Sequence, residues 1–260
     1  MLASLLPGIR ELRTPLAAGY MYLLSLFLLL ASRVPTESEA RPPLSHIYDA
    51  VGWMGKPAAF AVGTFVAYLV GSVLEWRAAK ISRRLRHPLA WIKIFIVGSI
   101  RSKGLDEFTR NAEHNANSVY GELDPPDVDT LDAYVKDRMY PPGVSRPSAV
   151  ATEVMTLVEG LPQLRTRLYG ANKDMYGDYD RLAAEADFKV NVGLAGMALG
   201  VVAAIEVTPW WAFLFVPMAV LFVRGLRTIR QANGVVVQAV VAEVVKSPKF
   251  EQLVDSDQGA

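Results

Sequence analysis

The chain of 260 residues contains no cysteine and only three histidines. Without cysteine there can be no disulfide, no thiolate ligand for zinc or an iron–sulfur cluster, and no cysteine nucleophile. The histidines are His46, His87 and His114, and no two of them have the i, i+4 spacing typical of metal ligands. We therefore expect no metal and no cofactor. The formal net charge of +1 also lacks the basic excess of a nucleic-acid-binding protein.

Apolar residues make up 52% of the sequence, and they are concentrated in four runs that are almost free of charge. These runs are residues 16–31, 57–74, 188–207 and 209–223. Each is close to the roughly 20 residues that an α-helix needs to cross the hydrocarbon core. The first run has a signal peptide as its alternative interpretation, but Leu29 stands where cleavage after Ala31 requires a small residue. The sequence predicts four transmembrane helices in two hairpins.

Basic residues follow the second and fourth runs, which predicts that these ends face the cytoplasm. They are Arg77, Lys80, Arg83, Arg84, Arg86, Lys93, Arg101 and Lys103 after the second run, and Arg224, Arg227 and Arg230 after the fourth. Arg10 and Arg13 place the N-terminus on the same side, and an even number of spans returns the C-terminus there. We predict a multi-pass protein of the cell membrane with both termini in the cytoplasm. Six bases are candidates for contact with anionic lipid: Arg83, Arg84, Arg86, Lys93, Arg101 and Lys103.

The rest of the chain divides around these spans. Residues 1–76 contain an amphipathic N-terminal segment and the first hairpin, residues 77–187 form a helical cytoplasmic domain, and residues 188–260 contain the second hairpin and a cytoplasmic helix. The apolar run 89–100 is short and carries Lys93, so we interpret it as a buried or interfacial element and not as a fifth span. The predicted fold class is all-α.

Within the spans, small residues recur on one face of a helix. They are Gly63, Ala67 and Gly71 in the second run, and Gly196, Gly200 and Ala204 in the third. Small side chains let helix backbones approach closely, which predicts packing contacts at these positions.

Two polar residues stand near opposite ends of the third run. Asn191 and Glu206 are about 15 residues apart, or roughly 22 Å at the helical rise, and they are candidates for the two mouths of a pore. The alternative is that both cap helices and face lipid headgroups. Pro217 predicts a bend in the fourth span that would also affect a pore.

The predicted layout resembles that of pentameric bestrophin-like anion channels and of paired-span effector modules of bacterial defence systems, in topology and without a sequence motif of either. The resemblance implies a homo-oligomeric channel or pore-forming effector in the lipid bilayer, gated through its cytoplasmic domain by a protein or a small molecule.

A non-conducting scaffold or signalling subunit is the alternative, suggested by the large acidic cytoplasmic segment. An enzyme acting on lipid-linked substrates is a third interpretation, for which Glu75 is the only acid beside a span on the inner side. Since no catalytic signature is present, we favour a protein that is not an enzyme.

Overall fold

The computed structural model describes residues 2–31, 34–35, 37–42, 44–84, 123–139, 154, 156–158 and 160–258. Within these residues the regular elements are helices and there is no strand. The helices in chain order are α1 (Leu2–Ala31), α2 (Leu44–Val73), α3 (Ala78–Arg84), α4 (Pro125–Met139), α5 (Leu161–Ala171), α6 (Lys173–Glu206), a 3-10 helix (Pro209–Leu214), α7 (Phe215–Val241) and α8 (Pro248–Gln258). The prediction of an all-α chain is confirmed.

Among the described residues, four segments are long and apolar enough to cross a membrane: Leu12–Ala31, Ser45–Val73, Lys173–Glu206 and Pro209–Val241. Each overlaps one of the four apolar runs and extends beyond it. The count of four spanning-length helices, which rested on the absence of charge over about 20 residues, is therefore confirmed. The segment 89–100 lies outside the described residues.

The second spanning helix contains a break where the sequence predicts its start. Gly55 has φ 75° and ψ 162°, a conformation that glycine adopts without steric cost. Pro57 follows, and a proline in the first turn of a helix loses no intrahelical hydrogen bond. The span predicted from residue 57 is therefore the second part of α2, and a further helical segment from Leu44 precedes the break.

The chain forms two compact units. Unit 1 comprises Met1–Arg77 and Ala184–Gly225, and unit 2 comprises Ala78–Ala183 and Leu226–Ala260. In unit 1, α1 and α2 pack closely and antiparallel: Gly19 faces the carbonyl of Ala67, and Gly71 faces the carbonyl of Pro15. Backbone-to-backbone approach of this kind is possible only between small residues.

The outer surface of unit 1 is rich in large apolar side chains. Exposed examples are Leu24, Phe27, Phe60, Phe65, Val216 and Val220. A protein surface in water rarely carries contiguous apolar area on this scale, whereas the hydrocarbon core of a bilayer is as apolar as these side chains. The surface is therefore that of a helix bundle suited to a membrane.

Unit 2 has a hydrophobic core of its own. It is formed by buried residues of α4, α5, α7 and α8, among them Val128, Leu131, Val135, Leu161, Leu164, Leu168, Val236, Val240, Phe250 and Val254. The positions in α4 and α5 recur at i, i+3 and i+7, which places them on one helix face. The helix α8, which packs in this core through Phe250, was not predicted from the sequence.

Candidate functional site

Asn191 is buried in unit 1, with 2% of its surface exposed. Its Oδ1 accepts the backbone N–H of Trp76 at 2.8 Å, and its Nδ2 donates to the backbone carbonyl of Trp76 at 2.8 Å. Nδ2 also donates to the carbonyl of Asp187 at 2.8 Å. The amide therefore holds the segment after α2 against α6 as a peptide group would. The role of Asn191 at a pore mouth stays a prediction. Both polar atoms of its side chain are hydrogen-bonded to the backbone of the same chain.

A carboxylate lies beside this contact. Desolvation raises the pKa of Glu75 above its ordinary value, the negative charge of Asp187 raises it further, and Arg77 opposes the shift. Glu75 is the residue that the enzyme interpretation singled out. Within the described residues no group of three or more histidine, aspartate or glutamate side chains is arranged to hold a metal ion.

Glu206 is the last residue of α6 and its side chain is exposed. The chain then turns at Thr208 into the 3-10 helix, where Trp210 and Phe213 stack with ring centres 5.6 Å apart. A shallow cavity of about 430 Å³ is lined by Trp210, Trp211, Phe213 and Leu214. Tryptophan at the end of a span is typical of the interface between hydrocarbon and water. The structure thus puts the Glu206 carboxylate at the end of a spanning helix.

Pro217 lies in the first turn of α7, directly after the 3-10 helix. A proline cannot donate its backbone nitrogen to a carbonyl of the preceding turn. The change from 3-10 to α-helical geometry occurs at Phe215, two residues before Pro217. The proline thus stands at the start of α7, within the spanning segment Pro209–Val241, and the bend at Pro217 and its effect on a pore stay predictions.

The six small residues predicted as packing positions have different surroundings. Gly71 and Gly196 are in close contact, with Pro15 and Met218 respectively, and Gly200 has ordinary contacts with Leu214 and Phe215. Ala67 is fully buried against α1, and Ala204 is half-buried. A Cβ placed on Gly63 would meet no atom within 4 Å.

In unit 1, three close glycine contacts were not predicted. Gly19 lies on Ala67, Gly193 on the backbone of Phe222, and Gly225 on Val190. Gly193 precedes Gly196 by three residues, so a search for the i, i+3 spacing in addition to i, i+4 would have found it. Contacts of α6 residues 193, 196 and 200 with α7 residues 222, 218 and 215 run in opposite order, which makes the two helices antiparallel.

The predicted lipid-contact bases fall mostly beyond the described chain. Arg86, Lys93, Arg101 and Lys103 lie outside the described residues, and Arg83 and Arg84 belong to α3 with side chains that are not described. Of the histidines, His46 is exposed near the start of α2, and His87 and His114 also lie outside the described residues.

No known protein family matches the chain, and no curated protein or solved structure matches it significantly.

Proposed function

We propose that the chain is a subunit of a homo-oligomeric membrane channel or pore-forming effector, with two transmembrane hairpins, cytoplasmic termini and gating through unit 2. The observation that carries this proposal is the continuity of α6 and α7. Each is a spanning-length helix that runs without interruption into residues of unit 2, which has its own core. A rigid helix can transmit displacement from a ligand-binding part to a membrane part.

The face of α6 that would line a conduction path follows from the contacts in unit 1. Gly193, Gly196 and Gly200 are occupied by packing against α7. The opposite face carries Leu194, Ala198, Val201 and Ile205, of which the last two are exposed. A ring of such side chains from several subunits would form an apolar constriction that closes by dewetting. Glu206, at the end of this face, would supply a ring of charge.

Ion flux through liposomes containing the purified protein tests the proposal. We expect flux in the presence of an activating ligand or condition, and we expect Glu206→Lys to move selectivity toward anions because a ring of positive charge attracts them. Glu39→Lys is the matched control. This substitution makes the same change in net charge at an exposed residue on the side proposed to be external. An equal shift of selectivity in both variants would remove Glu206 from the pore.

The apolar constriction has a separate test. Val201→Asn would hydrate the constriction and raise flux in the resting state. Phe65→Asn, at an exposed position of α2 that we assign to lipid, should not. A resting flux that is unchanged by Val201→Asn would exclude this face of α6 as the conduction path.

Membrane orientation is tested by labelling, since the chain has no native cysteine. Glu37→Cys should react with an impermeant maleimide on intact cells, and Gln163→Cys, an exposed position of unit 2, should react only after permeabilisation. The reverse pattern would invert the proposed topology.

The second candidate is a non-conducting scaffold or signalling subunit. It is supported by the hydrogen bonds of Asn191, because a polar side chain that is bound to Trp76 and Asp187 stabilises the fold whether or not a pore is present. Absence of flux for correctly assembled protein under all tested ligands, pH values and voltages would support this candidate. The enzyme interpretation ranks third. The charged groups that act on Glu75 are Asp187 and Arg77, and this acid is the only observation that supports a catalytic site.

A further inference from the structure

Two half-buried arginines of unit 2, Arg165 and Arg230, have Asn233 of α7 as a common neighbour. Arg165, on α5, donates from Nη2 to Oδ1 of Asn233 at 2.6 Å, and its guanidinium carbon lies 5.2 Å from the ring centre of Tyr179. Arg230 precedes Asn233 by three residues on α7. Side chains at i and i+3 of a helix are neighbours, about 5–6 Å apart at Cβ. Arg165 and Arg230 are therefore both neighbours of Asn233, the first by a hydrogen bond and the second by its position on the helix.

These two positive charges have no counter-charge among the described residues. Both arginines are half-buried, and Nε of each is buried without a hydrogen-bond acceptor. The ion pairs of the described chain include neither residue. Arg138, in the same unit, also has a buried Nε without an acceptor, but its charge is paired: its guanidinium lies 2.9 Å from Glu243 and 3.6 Å from Glu251.

Asp127 lies close to this part of α7, but it is not paired with Arg230. The carboxylate of Asp127 lies against Gly234, one turn beyond Arg230. Desolvation raises the pKa of Asp127, Asp124 raises it further, and no arginine opposes the shift. A carboxylate paired with Arg230 would show the opposite direction, because a neighbouring cation stabilises the charged form. Asp127 is therefore not the counter-ion of Arg230.

A partly buried guanidinium without an anion is energetically costly, and a charge in this position is normally paired. The planar fork of arginine matches the oxygens of a phosphate, to which it donates two parallel hydrogen bonds. We propose that Arg165 and Arg230 form a binding site for a phosphate group, with Asn233 positioning Arg165. The phosphate belongs either to a soluble molecule or to a lipid headgroup.

Pyrophosphate binding to the full-length protein in detergent tests the site. Isothermal titration and melting are measured in pyrophosphate and in chloride at matched ionic strength. Wild-type protein should bind pyrophosphate and melt higher in it. Arg165→Gln and Arg230→Gln should each weaken binding by about tenfold or more, the usual loss for a charge-assisted hydrogen bond.

Arg227→Gln is the matched control. It removes the same charge from the same helix, one turn before Arg230, at an exposed position. It should bind as wild type does. No pyrophosphate binding by wild type, or an equal loss in Arg227→Gln, would overturn the proposal. If a glutamine variant elutes as misfolded protein, Arg165→Lys and Arg230→Lys replace it, because lysine keeps the positive charge and lacks the planar guanidinium. Each lysine variant should still bind pyrophosphate more weakly than wild type. Wild-type affinity in either lysine variant would also overturn the proposal.

The two phosphate sources are separated in nanodiscs. Pyrophosphate binding that is lost in phosphatidic acid-containing nanodiscs and kept in phosphatidylcholine nanodiscs would assign the site to a lipid headgroup. Binding that is equal in both would assign it to a soluble anion. Neither measurement depends on ion flux, so the site can be established or refuted whatever the outcome of the channel proposal.

Discussion

Two glycines of α2 provide a matched test of how α1 and α2 pack. Gly71 and Gly63 lie on the same helix face, two turns apart, and were equivalent in the sequence. A Cβ at Gly71 would overlap the carbonyl oxygen of Pro15 and would lie 2.6 Å from the carbonyl carbon. These are backbone atoms of α1, which cannot rotate away. A Cβ at Gly63 meets nothing within 4 Å.

The size of the effect follows from this difference in space. Overpacking of a close contact typically costs about 1–3 kcal/mol. Gly71→Ala is such a change, because the new methyl group would force the backbones of α1 and α2 apart. Replacing glycine by alanine in an open helical position typically stabilises it, by up to about 1 kcal/mol. We therefore expect the two variants to differ by about 1–4 kcal/mol, with Gly71→Ala below wild type and Gly63→Ala at or slightly above it.

Melting of the three proteins in one detergent measures this difference. At roughly 2–4 °C for each kcal/mol in a chain of this size, Gly71→Ala should melt several degrees below Gly63→Ala. Gel filtration in the same detergent controls for aggregation. A Gly71→Ala protein that melts with wild type, or a Gly63→Ala protein that is equally destabilised, would refute the packing described here.

Three further predictions concern buried polar contacts. Asn191→Leu removes the partner of the Trp76 N–H and carbonyl and should cost about 2 kcal/mol, since an unsatisfied backbone group typically costs about 1–3 kcal/mol; melting in detergent measures this loss. Because burial raises the pKa of Asp127 in the folded protein, its charged form destabilises the fold above that pKa. The penalty disappears as the pH falls toward the ordinary pKa of an aspartate. Asp127→Asn should therefore melt at or above wild type at neutral pH, with the gain shrinking in acid. Gly234→Ala puts a Cβ 2.5 Å from Oδ2 of Asp127 and should destabilise unit 2 by about 1–3 kcal/mol. Adding Asp127→Ala removes the carboxylate that the methyl group meets, so the double variant should recover most of the lost stability.

Each of these has an outcome that contradicts it. Wild-type melting of Asn191→Leu would mean that the Trp76 contact contributes nothing to stability. A gain for Asp127→Asn that grows in acid would reverse the sign of the pKa shift. Strict additivity of the substitutions at Gly234 and Asp127 would show that the two residues do not touch.

The four spanning helices could be predicted from the sequence because the underlying physics is local. A run of about 20 residues without charge has few environments other than a bilayer. The continuation of the third span toward the N-terminus was equally visible, since no proline interrupts residues 174–188. The structure has one helix, Lys173–Glu206, over this whole stretch.

The partners of individual residues could not be predicted, because they are separated by long stretches of chain. Trp76 and Asn191 are 115 positions apart, and nothing in the sequence near either one indicates the other. Gly63 and Gly71 have the same local pattern, and they differ only because α1 reaches Gly71 at Pro15. The helix α8 was missed for a similar reason: its apolar residues are few, and Phe250 is buried by helices from elsewhere in unit 2.

The contacts of α6 limit which of its residues could line the proposed channel. The glycine face of this helix is taken by α7, and the amide of Asn191 is taken by Trp76. In the proposed oligomer, α6 would present to neighbouring subunits an apolar stripe, with the exposed charge of Glu206 at the end of the helix. A conduction path on this face would have one polar ring from α6 and not two, because Asn191 would have to break hydrogen bonds to contribute a second. Ion selectivity that originates in α6 should therefore respond to the charge at Glu206 and remain insensitive to conservative changes at Asn191, whereas protein stability should show the reverse dependence.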